Sequence, residues 1–274
     1  MVFSQEQTRV VRRPSCDMIG LAKSFTKANH NHKMWSSGCP SRECMEILDF
    51  PPVFRPVVLR EVQDAFARAC GAAAEVGAGA LFWVGRFDRV DLAVVLEPEA
   101  PLRHARTCFY AGMNALADAI AAYAPPEAPV SFSWPDRVML DGALVGGGRL
   151  GCPPSSAEDV PPDWLVFGAT LRRVSMGPEE PGWRPTLASL EEVGVELGDH
   201  GAFVARFARF FLLALHEWTE LGPEAALRRY VPRLGGQASA AAIGGPAQGR
   251  WTEGRLADAL EKPSWLEGDL AGWL

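Results

Sequence analysis

The chain of 274 residues carries a net charge of -6, with 22% charged and 48% apolar residues, the balance of an ordinary soluble globular protein. A chain this long can form one large domain or two small ones, and such a core buries roughly 70% of its unfolded surface, so neither disulfides nor a structural metal are needed for folding. The negative charge argues against a dedicated nucleic-acid or anionic-membrane binder.

Residues 1–44 differ from the rest: they hold three of the four lysines, two of the five histidines and three of the six cysteines, without a sustained apolar period. They are expected to be a disordered extension, with Met45 as an alternative beginning. Among the cysteines (Cys16, Cys39, Cys44, Cys70, Cys108 and Cys152) there is no framework spacing, and no charged-then-apolar leader is recognisable, so a reducing cytoplasm is the expected compartment. His30, His32, Cys39 and Cys44 match no paired zinc pattern, and no metal is expected.

From Val57 the pattern alternates between elements. "VLREVQDAFARACGAAAEV" reads as a helix, "ALFWVGRF" and "VDLAVVLEP" as strands, and residues 101–124 as one long helix opened by Pro101 and closed before Pro125-Pro126. "SFSWPDRVMLDGALVGGGRL" reads as a hairpin turning at Asp141-Gly142, because both positions tolerate positive φ. Gly146, Gly147 and Gly148 on its return strand mark either a bulge or a close approach of ligand or backbone. A strand "DWLVFGATLRRV" and the helices "LASLEEVG", "DHGAFVARFARFFLLALHEWTELG" and "GPEAALRRYV" follow. Arg206, Arg209 and His216 interrupt the apolar run of the second of these helices, which leaves it well short of a membrane span. Residues 235–274 read as a Gly/Ala-rich linker and a short tail whose Trp251, Trp265 and Trp273 are expected to dock back on the domain. The body, residues 45–234, is therefore expected to be α+β, with a mixed, mostly antiparallel sheet packed with helices.

Nucleophilic chemistry has no support in residue type. There is no Gly-x-Ser-x-Gly, and His104 and Cys108, four apart on a helix, read as packing. "GGGR" lacks the Lys-Ser/Thr of a phosphate loop. Arg86, Arg137 and Arg149 remain as guanidinium groups suited to a carboxylate or phosphate. No lysine occurs between Met34 and Glu261, so no ammonium group is available within the body.

The ordered succession of features over residues 45–234 resembles the catalytic domain of the biotin/lipoate A/B protein ligase and octanoyltransferase superfamily, a biotin/lipoyl protein ligase-like (class II synthetase-like) fold. "LAVVLEPEAPLRHARTCFYAGMNALADAI" is similar to that family's strand and long helix, "SWPDRVMLDGALVGG" to its Lys-Trp-Pro-Asn-Asp hairpin, and "DWLVFGATLRRV" to the strand of its later Gly-rich signature. The resemblance implies transfer of biotin, lipoate or octanoate to a lysine on a small carrier domain, with ATP if ligase activity is retained. It implies ligand contacts at Trp134, Pro135, Asp136, Arg137, Val145, Gly146, Gly147, Gly148, Arg149 and Gly168.

The chain departs from the pattern where the chemistry lies. Ser133 and Leu144 stand where the family has lysines, Arg172 where it has asparagine, and "VGRFDR" is too short for the family's Gly/Arg loop. The expectation is thus a divergent protein that binds a lipoyl, octanoyl or biotinyl group or its carrier domain, with lost or altered ligase chemistry. An active ligase or acyltransferase using Arg149 or Arg86 in place of lysine is one alternative. A structural partner protein without a small-molecule site is the other.

Overall fold

Asp64 sets the first boundary. Its carboxylate accepts a hydrogen bond from the Ala67 N–H at 2.9 Å, so helix α1, Ala65–Val76, starts at the next residue. Of the residues before it that the apolar period assigned to the same helix, Val58 and Leu59 end strand β1, Arg55–Leu59, instead. Pro56 has no N–H to donate and Val57 and Val58 are β-branched, which suits an edge strand better than a helix. The computed structural model describes residues 49–176, 186–235 and 253–266. The 1–44 extension with its histidines and cysteines, Trp251 and Trp273 lie outside the described residues.

Strands β2 (Ala80–Gly85), β3 (Arg89–Leu96), β4 (Val130–Ser133), β5 (Arg137–Leu140), β6 (Ala143–Gly151) and β7 (Leu165–Arg172) complete a seven-stranded sheet in the order β1-β2-β3-β7-β6-β5-β4. Only β1 and β2 run parallel; every other neighbouring pair is antiparallel. This is the mixed, mostly antiparallel α+β architecture expected from the order of elements. The β5–β6 turn has φ of 46° at Asp141 and 79° at Gly142, the two positive values a two-residue hairpin needs. Beyond it, Val138 pairs with Gly146 and Met139 with Leu144, leaving Val145 as the extra residue of a β-bulge.

The predicted single helix over 101–124 is two: α2, Leu102–Ala105, and α3, Cys108–Ala121. Thr107 makes the break. Its hydroxyl donates to the His104 carbonyl at 2.7 Å and accepts from the Trp218 indole N–H at 2.8 Å. A side chain that satisfies a helical carbonyl in this way offers the backbone an alternative to the regular ladder. The predicted helix over 187–194 is likewise a single turn. Ser189 and Glu192 cap each other, the Ser189 N–H and hydroxyl both donating to the Glu192 carboxylate at 2.6 and 2.9 Å, and Gly194 at φ 79° ends the turn. Helices α4 (His200–Leu221) and α5 (Pro223–Tyr230) fall where their apolar period placed them. A final helix α6, Glu253–Leu260, leads to a 3-10 turn at Ser264–Leu266.

Helices α3, α4 and α5 cover one face of the sheet, where Phe109, Phe167, Phe207 and Phe211 form a continuous aromatic cluster. Helix α1 covers part of the other, setting its alanines against Phe82, Val84, Val95 and Val166. No helix among the described residues is long and apolar enough to cross a membrane.

His200, the first residue of α4, lies 3.2 Å from the Arg173 guanidinium. Burial and that positive charge hold its imidazole below the ordinary value of 6.5. In the unfolded chain His200 therefore takes up its proton first. Its contribution disfavours folding as pH drops below the ordinary value, and no penalty remains above it. Replacing it, His200→Asn, is expected to shrink the loss of melting temperature between pH 7.5 and 5.5. An unchanged difference in thermal melts would place that proton elsewhere.

Candidate functional site

Beyond the N-terminus of α1, polar and charged side chains from β3, β6 and β7 meet on the second face of the sheet. Arg149 on β6 is their centre. Its guanidinium stacks 4.7 Å from the Phe66 ring and reaches the Asp64 carboxylate at 3.2 and 3.3 Å, the Thr170 hydroxyl at 3.4 Å and Asp91 at 3.5 Å. Asp91 on β3 accepts from the Ala65 N–H at 2.9 Å and from the Thr170 hydroxyl at 3.0 Å. The first turn of α1 is thus closed by the chain's own carboxylates, Asp64 and Asp91, rather than left open to an external anion.

These acids are pushed in opposite directions. Burial raises the Asp91 carboxyl above its ordinary 3.8, and the Ala65 N–H, Arg149 and Thr170 only partly counter it. Burial acts on Asp64 as well, but the Ala67 N–H and Arg149 outweigh it and hold that carboxyl below 3.8. Arg86, the second candidate cation, is gripped by Asp88 two residues on, through contacts of 2.8 and 2.6 Å. A cavity of about 260 Å³ opens between Asp64, Arg86, Arg89, Asp91, Arg149 and Trp265. That is somewhat below the roughly 300 Å³ at which small-molecule sites begin.

The β4–β5 hairpin borders this face. Its Trp134-Pro135 bond is cis, and the Pro135 carbonyl accepts from the Tyr230 hydroxyl at 2.7 Å. Trp134 itself is 37% exposed at the turn. Asp136 is fully buried; burial raises its carboxyl, and the Ser264 hydroxyl and N–H, both donating to it, pull it part of the way back. Arg137 holds the same residue from the other side, donating from Nε to the Ser264 hydroxyl at 2.9 Å and from Nη2 to the Ser264 carbonyl at 2.8 Å. Next to it the Trp265 indole is buried, with its N–H donating to the Gly148 carbonyl at 2.9 Å.

The sheet divides the residues singled out in the sequence. Gly147, Arg149 and Gly168 face the site, with Asp136 and Arg137 at its hairpin edge. A Cβ on Gly147 would lie 2.2 Å from the Trp265 ring, and one on Gly168 would lie 2.5 Å from the Phe66 ring. Gly148 turns to the helix side, where its Cβ would meet Met113 at 2.6 Å, and Val145 belongs to the core beneath the helices. Gly146 lies at the bulge, with φ of 154°. The glycine run therefore serves as a bulge and as a close approach on both faces. Sequence reasoning missed Asp64, Phe66, Asp91, Thr170 and Ser264, and expected Trp265 to dock on the domain, as it does, without placing it at the site. Asp91 alone carried a signal, as one carboxylate inside the apolar run "VDLAVVL". Among the described residues no cluster of three or more His, Cys, Asp or Glu could hold a metal ion.

A seven-stranded mixed sheet, with a cis Trp-Pro hairpin and a glycine-rich return strand at the site, defines the class: a biotin protein ligase-type catalytic-domain fold. The chain belongs to the biotin/lipoate A/B protein ligase family, whose model matches residues 50–232. It is similar to a biotin protein ligase-like protein of unknown function from Silicibacter sp. TM1040, at 27% identity and a TM-score of 0.62, covering 70% of this chain and 82% of that one. Biotin protein ligase from Aquifex aeolicus shares the fold at 16% identity and a TM-score of 0.53, covering 66% of this chain and 78% of that one. The apo structure of that ligase gives 15% identity and a TM-score of 0.53, over 66% and 77% of the two chains. No curated protein matches the chain.

Proposed function

We propose that this protein binds a biotinyl, lipoyl or octanoyl group, or the carrier domain that bears it, without the lysine-dependent ligase chemistry of its family. The observation that carries this reading is the state of Arg149. It is the cation on β6 beside Gly147, and its terminal nitrogens already engage Asp64, Asp91 and Thr170. A guanidinium so committed can anchor a ligand, but it offers only donors and no lone pair to accept a proton. With no lysine between Met34 and Glu261, no ammonium group in the body takes the family's role.

Two groups support a ligand here. The Gly148 carbonyl accepts a ring N–H from a flat bicyclic side chain, and the Arg149 Nε–H is buried with no partner among the described residues. Of the three tails, only biotin offers ring N–H donors that fit the Gly148 carbonyl as the indole does, so it is expected to bind best. The 45–234 domain is the unit we assign to this role, with Ser264 and Trp265 of the tail packed against its site.

Titration calorimetry with biotin, lipoate and octanoate tests the reading, alongside transfer assays with labelled acids, ATP and apo carrier domains. Saturable binding independent of ATP, with no labelled carrier, is the expected result. Labelled product would overturn it and move the chemistry to Arg149 or Arg86.

A further inference from the structure

The ground beside Arg149 is already occupied by the chain itself. Trp265 sets the Cδ1–Nε1 edge of its indole against Gly147, with the ring centre 5.6 Å from the Arg149 guanidinium, and its indole N–H donates to the Gly148 carbonyl. Ser264 fastens it through both sides of the hairpin, on Asp136 and on Arg137. Gly147 has room for a ring and for nothing on its own Cα. A glycine at this point is what lets a planar group reach the strand backbone, and the planar group found there comes from 118 residues further along.

Two features separate this contact from ordinary core packing. The polar bonds all run through Ser264 and the one indole, so the contact can release as a unit. Upstream, Leu256 and Leu260 of α6 are buried in the main core, while Glu261 and Lys262 between α6 and Ser264 are exposed. Helix α6 thus holds the segment at the site whether or not Trp265 is inserted. A competitor tethered in this way acts at high effective concentration without any partner.

We infer that Ser264–Leu266 is a built-in plug: Trp265 occupies the ligand slot, and a tail or carrier binds only when it displaces that indole. This rests on the proposed function for the ligand's identity, but the plug itself can be tested without it. If the slot is open in about a tenth of molecules or fewer, the plug weakens apparent affinity at least tenfold.

The experiment uses the full chain, wild type and Trp265→Ala, with two probes: biotin and a fluorescent peptide Glu-Lys-Pro-Ser-Trp-Leu matching residues 261–266. The peptide is expected to bind Trp265→Ala and not the wild type, and biotin is expected to bind Trp265→Ala at least about tenfold more tightly. Peptide binding to Trp265→Ala alone, with biotin failing on both chains, would uphold the plug and sink the proposed ligand. Failure of the peptide on a folded Trp265→Ala chain, or equal biotin affinity for the two chains, would overturn the plug. Should Trp265→Ala not fold, hydrogen exchange on the wild type decides. The Ser264 N–H, held by Asp136, is expected to exchange faster than the Gly148 N–H of β6. Equal rates would make the segment a fixed strut and end the proposal.

Discussion

Replacing Arg149 by alanine is expected to destabilise the chain by about 3 kcal/mol, at the lower end of the cost of leaving one member of a buried ion pair alone. Arg149 and Asp91 are both largely shielded, with side chains 12% and 8% exposed, whereas Asp64 is 47% exposed. Asp64 can hydrate once the guanidinium is gone, so its share of the loss is small. Asp91 cannot. It keeps the Ala65 N–H and the Thr170 hydroxyl, but loses the charge that offsets its burial, and its carboxyl should rise further above the ordinary value. For a domain of this size the loss corresponds to roughly 6–12 °C in melting temperature. The assignment has a sharper test than the single variant. Asp91→Asn should recover much of the stability in the Arg149→Ala background, because a neutral amide still accepts from Ala65 without carrying an uncompensated charge. Strictly additive losses in a double-mutant cycle would show that the pair is not the source of the effect.

Phe167→Ala is expected to cost about 4 kcal/mol, the range for emptying a buried aromatic site. The ring is fully buried and lies within 5.4 to 6.1 Å, centre to centre, of Phe109, Phe207 and Phe211, so three neighbours lose their packing partner at once. It also explains Gly112, which stands in the middle of α3. A Cβ there would lie 2.3 to 2.6 Å from three atoms of the Phe167 ring. Alanine would gain about 1 kcal/mol in helix propensity. Overpacking against a ring that cannot move costs about 1–3 kcal/mol, so Gly112→Ala should destabilise the wild type. In the Phe167→Ala background the obstacle is gone and the same substitution should become stabilising. Urea denaturation of the four chains checks the reversal, and a stabilising Gly112→Ala in the wild type would contradict it.

Both sites show where sequence reasoning reached and where it stopped. The Asp141-Gly142 hairpin was legible because a two-residue turn is a local matter of φ, and both residues accept the positive values found. Helix α4 was legible because its apolar period runs unbroken over many turns, with Phe203, Phe207 and Phe211 on the buried side. The split between α2 and α3 was not, since it depends on Thr107 meeting Trp218, 111 residues away. The first helix was misread for a more local reason: its apolar period continued across the Asp64 cap into β1.

At the site the amino-acid sequence by itself determined the kinds of group available: arginines without lysines, a Trp-Pro hairpin and a glycine-rich return strand. Their chemistry follows from residue type and needs no coordinates. Only the tertiary structure decided which face each one serves. Strand pleating sends Gly147 and Arg149 one way and Gly148 the other, and the bulge at Val145 resets that alternation within the same strand. Tertiary packing also brought Asp64, Asp91 and Trp265 to Arg149, from separations of 85, 58 and 116 residues in the chain. No local pattern encodes such meetings, because they are settled by which surfaces the whole chain can bury together.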